Sequence, residues 1–376
     1  MSRENDYAIV VDDVYKTFNV YYDRTNTIKE RIIMRKNLLT TLSLALSLSF
    51  GSALLTPSLA QKQTTINQTN SSKISQNDLK KIIEENRKYT TEGKVADYIP
   101  ELGKANPNNI AISLINENGK IVNAGDITQK FTIQSISKII SLMVAVMENG
   151  ENYVYERIGY YGTNQPFNHF ANLDNNGKPL NPMMNAGAIV TTALIKGDGE
   201  VPYQKILDMI RYITKNPLIT INETVYLSEK ETGHRNRGMF HILKNTGLID
   251  GTEDKLDNYF KQCSIEVNAE DLAKIGYFFA NNCVRFDGDA KYKNKDLAQL
   301  IESQMLTAGM YDFSGEYSRQ IGLPSKSGVG GGITVSVPNR KIGIGVYSPA
   351  LDKQGNSIAG YHMILDLAKQ YDLSIF

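Results

Sequence analysis

The chain has 376 residues, 41 % of them hydrophobic, with 41 Lys and Arg against 40 Asp and Glu. That is enough apolar material for a sizeable core in two or three structural units. A net charge of +1, without a basic stripe, gives no electrostatic footprint for nucleic acid or for an acidic surface.

The first 33 residues, MSRENDYAIVVDDVYKTFNVYYDRTNTIKERII, resemble the opening strand region of ABC-transporter ATP-binding proteins of the polysaccharide-export type. No G-x-x-x-x-G-K-[ST] phosphate loop occurs anywhere in the chain, so no nucleotide site can be built. Residues 1–33 are therefore expected to be a remnant or a fusion. From Met34, MRKNLLTTLSLALSLSFGSALLTPSLAQ has the layout of a secretory signal peptide. Arg35 and Lys36 form a basic start, Leu38 to Leu55 an apolar run, and Ser58-Leu59-Ala60 a small-x-small cleavage site. The alternative is an uncleaved membrane anchor, against which stand the serines and threonines of the run and its borderline length. On the favoured reading Met34 is the true start, residues 34–60 are removed, and the protein is secreted or periplasmic. Otherwise it is cytoplasmic, or held at a membrane by that segment alone. Residues 61–76, QKQTTINQTNSSKISQ, read as a linker, and 77–376 as one globular domain.

Within that domain, DLKKIIEENRKYTTEG predicts an amphipathic helix stopped by Gly93. NIAISLINENGKIVNAGD predicts two strands around Asn118-Gly119, a hairpin signal. FTIQSISKIISLMVAV is apolar nearly all round after Ser135, which predicts a central, buried helix. PMMNAGAIVTTALIK predicts a helix with Pro182 in its first turn and small residues Ala186, Gly187 and Ala188 for close packing. Helical patterns continue through PYQKILDMIRYITK, RNRGMFHILKNTG and AEDLAKIGYFFANN. GVGGGITVSVPNRKIGIGVYSP predicts two strands joined at Pro338-Asn339-Arg340, and AGYHMILDLAKQYD a final helix. Strands first, helices in the middle, strands and a helix last: this order predicts an α+β architecture whose terminal pieces share one antiparallel sheet.

The chemistry concentrates where Ser135 and Lys138 open the buried helix. Three residues apart, they share a helical face. The helix N-terminus and burial both disfavour a charged lysine, and a neutral lysine beside a serine hydroxyl can generate a nucleophile. A bare S-x-x-K is common by chance, and a solvent-facing helix start would explain it equally well. Downstream, PSKSGVGGGI places Lys326-Ser327-Gly328 just before a strand pattern. β-Lactamases and penicillin-binding proteins pair S-x-x-K with such an element. Its lysine lends positive charge to the site, and the backbone beyond it offers N–H groups to an oxyanion. Other constellations are absent. There is no G-x-S-x-G, no G-x-G-x-x-G, and no metal spacing among His169, His234, His241 and His362. Cys263 and Cys283 lack a CxxC neighbour and read as ordinary buried thiols, with a disulfide between them left open.

Taken together, FTIQSISK, NPMMNAGAIV, VYLSEKETGHRN, YFKQCSIEV, AGMYDFSGEYS and GLPSKSGVGGGI resemble the serine-dependent glutaminases of the β-lactamase/DD-peptidase superfamily, from about residue 77 to the C-terminus. The resemblance implies an antiparallel sheet flanked by helices plus a helical subdomain. It implies hydrolysis of L-glutamine to L-glutamate and ammonia without metal or organic cofactor, by a homo-oligomer (dimer or tetramer). Carried onto matching positions, it makes Ser135 the nucleophile and Lys138 its base. Tyr98 would lie near the carboxamide, Asn185 at the amino-acid end, Glu229 on the α-ammonium, and Asn236 in hydrogen bond with the substrate. Tyr259 and Tyr311 would line the pocket with hydroxyls near the reacting centre. The Val329 and Ser135 N–H groups would form the oxyanion hole. The residue types agree: a zwitterion needs an anion and hydrogen-bond donors, and acyl transfer needs a nucleophile, a base and a donor to the leaving group. Two other classes stay open: a β-lactamase or peptidase-like serine acyl-enzyme of the cell envelope, and a non-catalytic binding protein of the same fold. Against the first, no S-D-N lies between the two lysine motifs; against the second, Ser135, Lys138 and Lys326 are intact.

Overall fold

The computed structural model describes residues 74–376; the readings made for 1–33, 34–60 and the linker up to 73 lie outside the described residues. The chain enters on α1 (Gln76–Asn86), where Ser75 and Asp78 close a capping box: Ser75 Oγ accepts from the Asp78 N–H, and the Asp78 carboxylate accepts from the Ser75 N–H at 2.8 Å. Ile74 is buried ahead of this cap. The helix therefore starts inside the stretch read as linker, because the polar residues that suggested a linker are also the ones that cap a helix.

β1 (Ala111–Ile115) and β2 (Ile121–Gly125) form the expected hairpin, with Gly119 at φ +76° in its turn. A short pair follows, β3 (Phe131–Thr132) against β4 (Glu266–Val267). Between them run α2 (Ser137–Asn149), α3 (Asn185–Leu194), α4 (Val201–Thr214), α5 (Glu223–Thr232), α6 (His234–Asn245) and α7 (Asp254–Cys263). After β4 come α8 (Ala269–Ala280) and α9 (Lys295–Ala308), then β5 (Ser325–Ser327), β6 (Gly332–Val337), β7 (Ile342–Tyr347) and α10 (Ile358–Tyr371). The main sheet is antiparallel in the order β2-β1-β7-β6-β5. Ile112 faces Val346 and Leu114 faces Ile344, so the first strand lies beside the last, as the element order predicts.

The alternation IGIGVY in β7 divides the two faces of the sheet. Ile342, Ile344 and Val346 join Leu79, Ile83, Met363, Ile364 and Leu367 of α1 and α10 in one core. Gly343 and Gly345 turn to α8. A Cβ at Gly343 would stand 2.1 Å from Ala273 O, and one at Gly345 2.1 Å from Ala269 O, so the helix backbone rests directly on the strand. The larger core is helical. α2 is buried from Ser137 to Ala145 and packs among Ile189 and Val190 of α3, Ile206 and Ile210 of α4, Phe240 of α6 and Phe260 of α7. Among the described residues no helix is long and apolar enough to cross a membrane.

One local reading needs correcting and another extending. α3 begins at Asn185, not with Pro182 in its first turn. Asn181 Oδ1 accepts from the N–H groups of Met183 (2.9 Å) and Met184 (3.2 Å), which holds Pro182 to Met184 in a turn ahead of the helix. The Lys326 element precedes a strand, β6, as expected, and is itself a strand, β5, with Lys326 opposite Thr334 of β6.

Candidate active site

The turn that carries Ser135 is built by an unusual backbone. After β3 the chain passes through Gln134 at φ +49° into a 3₁₀ turn (Gln134–Ile136) and then into α2. Ser135 is thereby delivered to a cleft of about 550 Å³ between the helical part and the β5–β6 end of the sheet. Of the residues predicted for a site, Tyr98, Ser135, Asn185, Glu229, Asn236, Tyr259 and Val329 line this one cleft. They come from a loop and four helices, α3, α5, α6 and α7, as well as the turn that carries Ser135 and the β5–β6 loop.

Lys138 and Tyr311 stand just behind that lining. Lys138 is fully buried; its ammonium donates to Asn185 Oδ1 at 2.7 Å and to Met183 O at 3.2 Å. Burial lowers its pKa to about 8, against the pull of nearby Cys263 and Glu229. The hydrogen bonds of Lys138 thus end on Asn185 and Met183 and not on Ser135, although the two residues are three apart. The Tyr311 hydroxyl lies beside Ser135, placed to accept from it, and itself donates to Ser327 O at 3.2 Å. Burial pushes the Tyr311 phenol up, and its hydrogen bonds with Ser135 and Ser327 pull it back. Phe167 covers both groups: its ring lies 5.8 Å from Lys138 Nζ and 4.7 Å from the Tyr311 ring.

Asn185 Nδ2 donates to Asn236 Oδ1 at 3.0 Å, so Lys138, Asn185 and Asn236 form one hydrogen-bonded row. Glu229 is 6 % exposed, with burial raising its pKa to about 8 against a hydrogen bond from Gln134, the Lys138 charge and the Cys263 thiol. A buried carboxylate held this weakly lacks a cation of its own. Tyr98 is 52 % exposed as a residue, yet desolvation holds its hydroxyl well above the usual phenol range. Tyr259 is buried, its phenol pushed up by desolvation and by Cys263 and Glu229. The N–H groups of Val329 and Gly330 donate to no acceptor among the described residues, in a turn whose other amides, Gly328 and Gly331, are engaged.

Lys326 does not reach the cleft. It is fully buried behind Tyr311, its Nζ 4.5 Å from that ring and donating to Gly309 O (3.0 Å) and Ser327 O (2.7 Å). Burial, reinforced by Lys138, holds its pKa well below that of a free lysine. Lys326 thus acts on the site from behind: it clamps two carbonyls, supports the Tyr311 ring and lies near enough to Lys138 for the two charges to repel. Cys263 and Cys283 are both free and buried. Sequence reasoning missed Gln134, Phe167, Asn168, Arg235 and Cys263 as cleft residues. Gln134 and Cys263 sit inside quoted motifs, but neither forms a pattern with its neighbours that signals chemistry.

The glutaminase family profile matches residues 93–376. The chain is 49 % identical over 304 residues to Glutaminase 2 of Clostridium perfringens, across 80 % of this chain and 99 % of that protein. A solved structure of a probable glutaminase from Bacillus subtilis, complexed with 6-diazo-5-oxo-L-norleucine, matches with TM-score 0.73 at 36 % identity, covering 79 % of this chain and 96 % of that one. Another, the covalent complex of a Bacillus subtilis glutaminase with 5-oxo-L-norleucine formed by reaction with the diazo compound, matches with TM-score 0.72 at 35 % identity, covering 79 % and 98 %.

Proposed function

The chain belongs to the glutaminase family and hydrolyses L-glutamine to L-glutamate and ammonia; from that premise we propose that Ser135 is the nucleophile of a glutamyl-serine intermediate, with Lys138 as its base. What supports the reading is a single cleft holding a serine hydroxyl, an uncommitted Val329 N–H and a buried carboxylate without a cation. Ser135 Oγ attacks the side-chain carbonyl carbon of glutamine, and its proton passes to the neutral Lys138 amine. The oxyanion is received by the N–H groups of Val329 and Ser135. The C–N bond then breaks as the leaving nitrogen takes the proton and departs as ammonia. Water repeats the attack on the ester, the proton returns to Ser135, and glutamate is released. Glu229 pairs with the α-ammonium, while Asn185 and Asn236 hold the amino-acid end. Tyr98, Tyr259 and Tyr311 direct hydroxyls toward the reacting centre. The contact between Ser135 and Tyr311 favours a second reading of the first step, in which the phenol oxygen takes the serine proton as the phenol passes its own to the neutral Lys138 amine. The β-lactamase, peptidase and binding-protein alternatives are not favoured by the family match.

The direct test is labelling. 6-Diazo-5-oxo-L-norleucine, which forms a covalent complex with the Bacillus subtilis relative, should lose nitrogen and alkylate Ser135 Oγ here. Peptide mass spectrometry should find the adduct on Ser135 and no adduct in Ser135→Ala. An adduct on any other residue rejects Ser135 as nucleophile.

Rate should rise toward alkaline pH. Lys138 must be neutral to take a proton and Glu229 ionised to hold an ammonium, and each has a pKa of about 8. Below that value lysine is charged and the carboxyl neutral, so both work against the reaction. The acid limb of kcat/KM should therefore lie near pH 8, shared by the two coupled groups. A profile flat from about pH 6 to about pH 9 rejects both assignments.

The remaining proposals concern the whole chain. Residues 1–33 are proposed as a remnant or fusion, 34–60 as a cleaved signal peptide, and the folded domain as running from about 77 to 376. N-terminal mass mapping from the native host should then give Gln61 as the first residue of an exported protein. Intact residues 1–60 on soluble cytoplasmic protein reject export. A dimer or tetramer is the proposed solution state, supported by the family resemblance and checked by light scattering.

A further inference from the structure

Gln134 has a backbone at odds with its side chain. Its φ of +49° is a left-handed conformation that glycine or asparagine adopts more easily. If the turn only had to deliver Ser135, either would serve better, so the long carboxamide needs its own explanation. It is buried, 3 % exposed, and lines the cleft. Its Nε2 donates to Thr132 Oγ1 at 3.2 Å and to Glu229 Oε2 at 3.5 Å. Its stem runs along the glycines that flank Val329: a Cβ at Gly328 would lie 3.5 Å from Gln134 Cβ, and one at Gly330 3.5 Å from Gln134 Cγ. The stem is thus wedged against the β5–β6 loop, with its amide aimed at the carboxylate.

We propose that Gln134 is a positioning residue that holds the Glu229 carboxylate in register with Ser135, and so sets the preference for substrates carrying an α-ammonium. This rests on the reading that Glu229 binds that ammonium. Ser135 is fixed to the same turn by one peptide bond, so a single residue measures the distance between nucleophile and ammonium site. A rigid spacing of this kind matters because misalignment of about 1 Å can cost 10²-fold in rate.

The test compares Gln134→Asn and Gln134→Glu with wild type on L-glutamine, on glutaramic acid (glutamine without its amino group) and on p-nitrophenyl acetate. Asparagine tolerates the left-handed backbone but is one methylene too short to reach Glu229. Glutamate keeps the shape and replaces the donor with an acceptor. In both, KM for L-glutamine should rise about tenfold or more, with kcat/KM falling up to about 10²-fold. The preference for L-glutamine over glutaramic acid should fall at least about tenfold, while acylation by the ester stays within about threefold of wild type. A wild-type preference in a folded variant overturns the proposal. So does a parallel loss on all three substrates, which marks a merely structural role. If Gln134→Asn does not fold, the isosteric Gln134→Glu decides alone. A wild type without preference for L-glutamine removes the ammonium reading of Glu229, and the role of Gln134 falls with it.

Discussion

Ser135→Ala should abolish glutamine hydrolysis, lowering kcat by about 10⁴-fold or more, while the protein stays folded. The substitution deletes one oxygen at the edge of a cleft and creates no core cavity, so circular dichroism and thermal unfolding should be close to wild type. Lys138→Ala should be almost as severe, because nucleophile and base act as a unit and their losses are not additive. It should also cost stability, since Asn185 Oδ1 and Met183 O lose their buried donor, at about 1–3 kcal/mol for each group left unpaired. If Lys138→Ala keeps more than about a tenth of the wild-type rate, lysine is not the base, because positioned bases contribute about 10²-fold or more. Tyr311→Phe separates the two readings of the first step. It matches Ser135→Ala if the phenol takes the proton, and is milder than Lys138→Ala if lysine does.

Glutaramic acid should be hydrolysed about 10⁴-fold less efficiently than L-glutamine, the discrimination expected where a site built to pair a polar group meets an analogue lacking it. Glu229 is buried and lacks a cation of its own, so a substrate without an ammonium leaves it either an unpaired buried charge above about pH 8 or a neutral carboxyl that offers no ion pair below it. Glu229→Gln should lose glutamine turnover through weaker binding and poorer alignment, while Ser135 remains reactive toward a small activated ester. Asparagine should be poor for another reason. With its amino-acid end held at Asn185, Asn236 and Glu229, its shorter side chain stops short of Ser135, and a misplacement of about 1 Å costs about 10²-fold. Steady-state kinetics on the three substrates test the arrangement, and efficient hydrolysis of glutaramic acid by wild type removes Glu229 from the ammonium site.

Residue pattern alone settled the architecture. Element order placed the first and last strands in one sheet, and the paired motifs around Ser135 and Lys326 indicated acyl transfer. These properties are local: periodicity, turn residues and short spacings leave their mark within a few positions of one another. Which atoms touch was decided by packing between segments far apart in the chain. Lys138 is turned to Asn185, 47 positions away, and not to its near neighbour Ser135. Lys326 faces the back of Tyr311 because β5 is an edge strand folded over Gly309, which a motif beside a strand does not reveal. Gln134 and Cys263 joined the cleft only when α2, α5 and α7 converged on Glu229. The sequence carries the types of group available to the chemistry, because side-chain chemistry is intrinsic to each residue. Orientation, burial and the resulting pKa values depend on every neighbour at once, and only the tertiary structure assembles those neighbours.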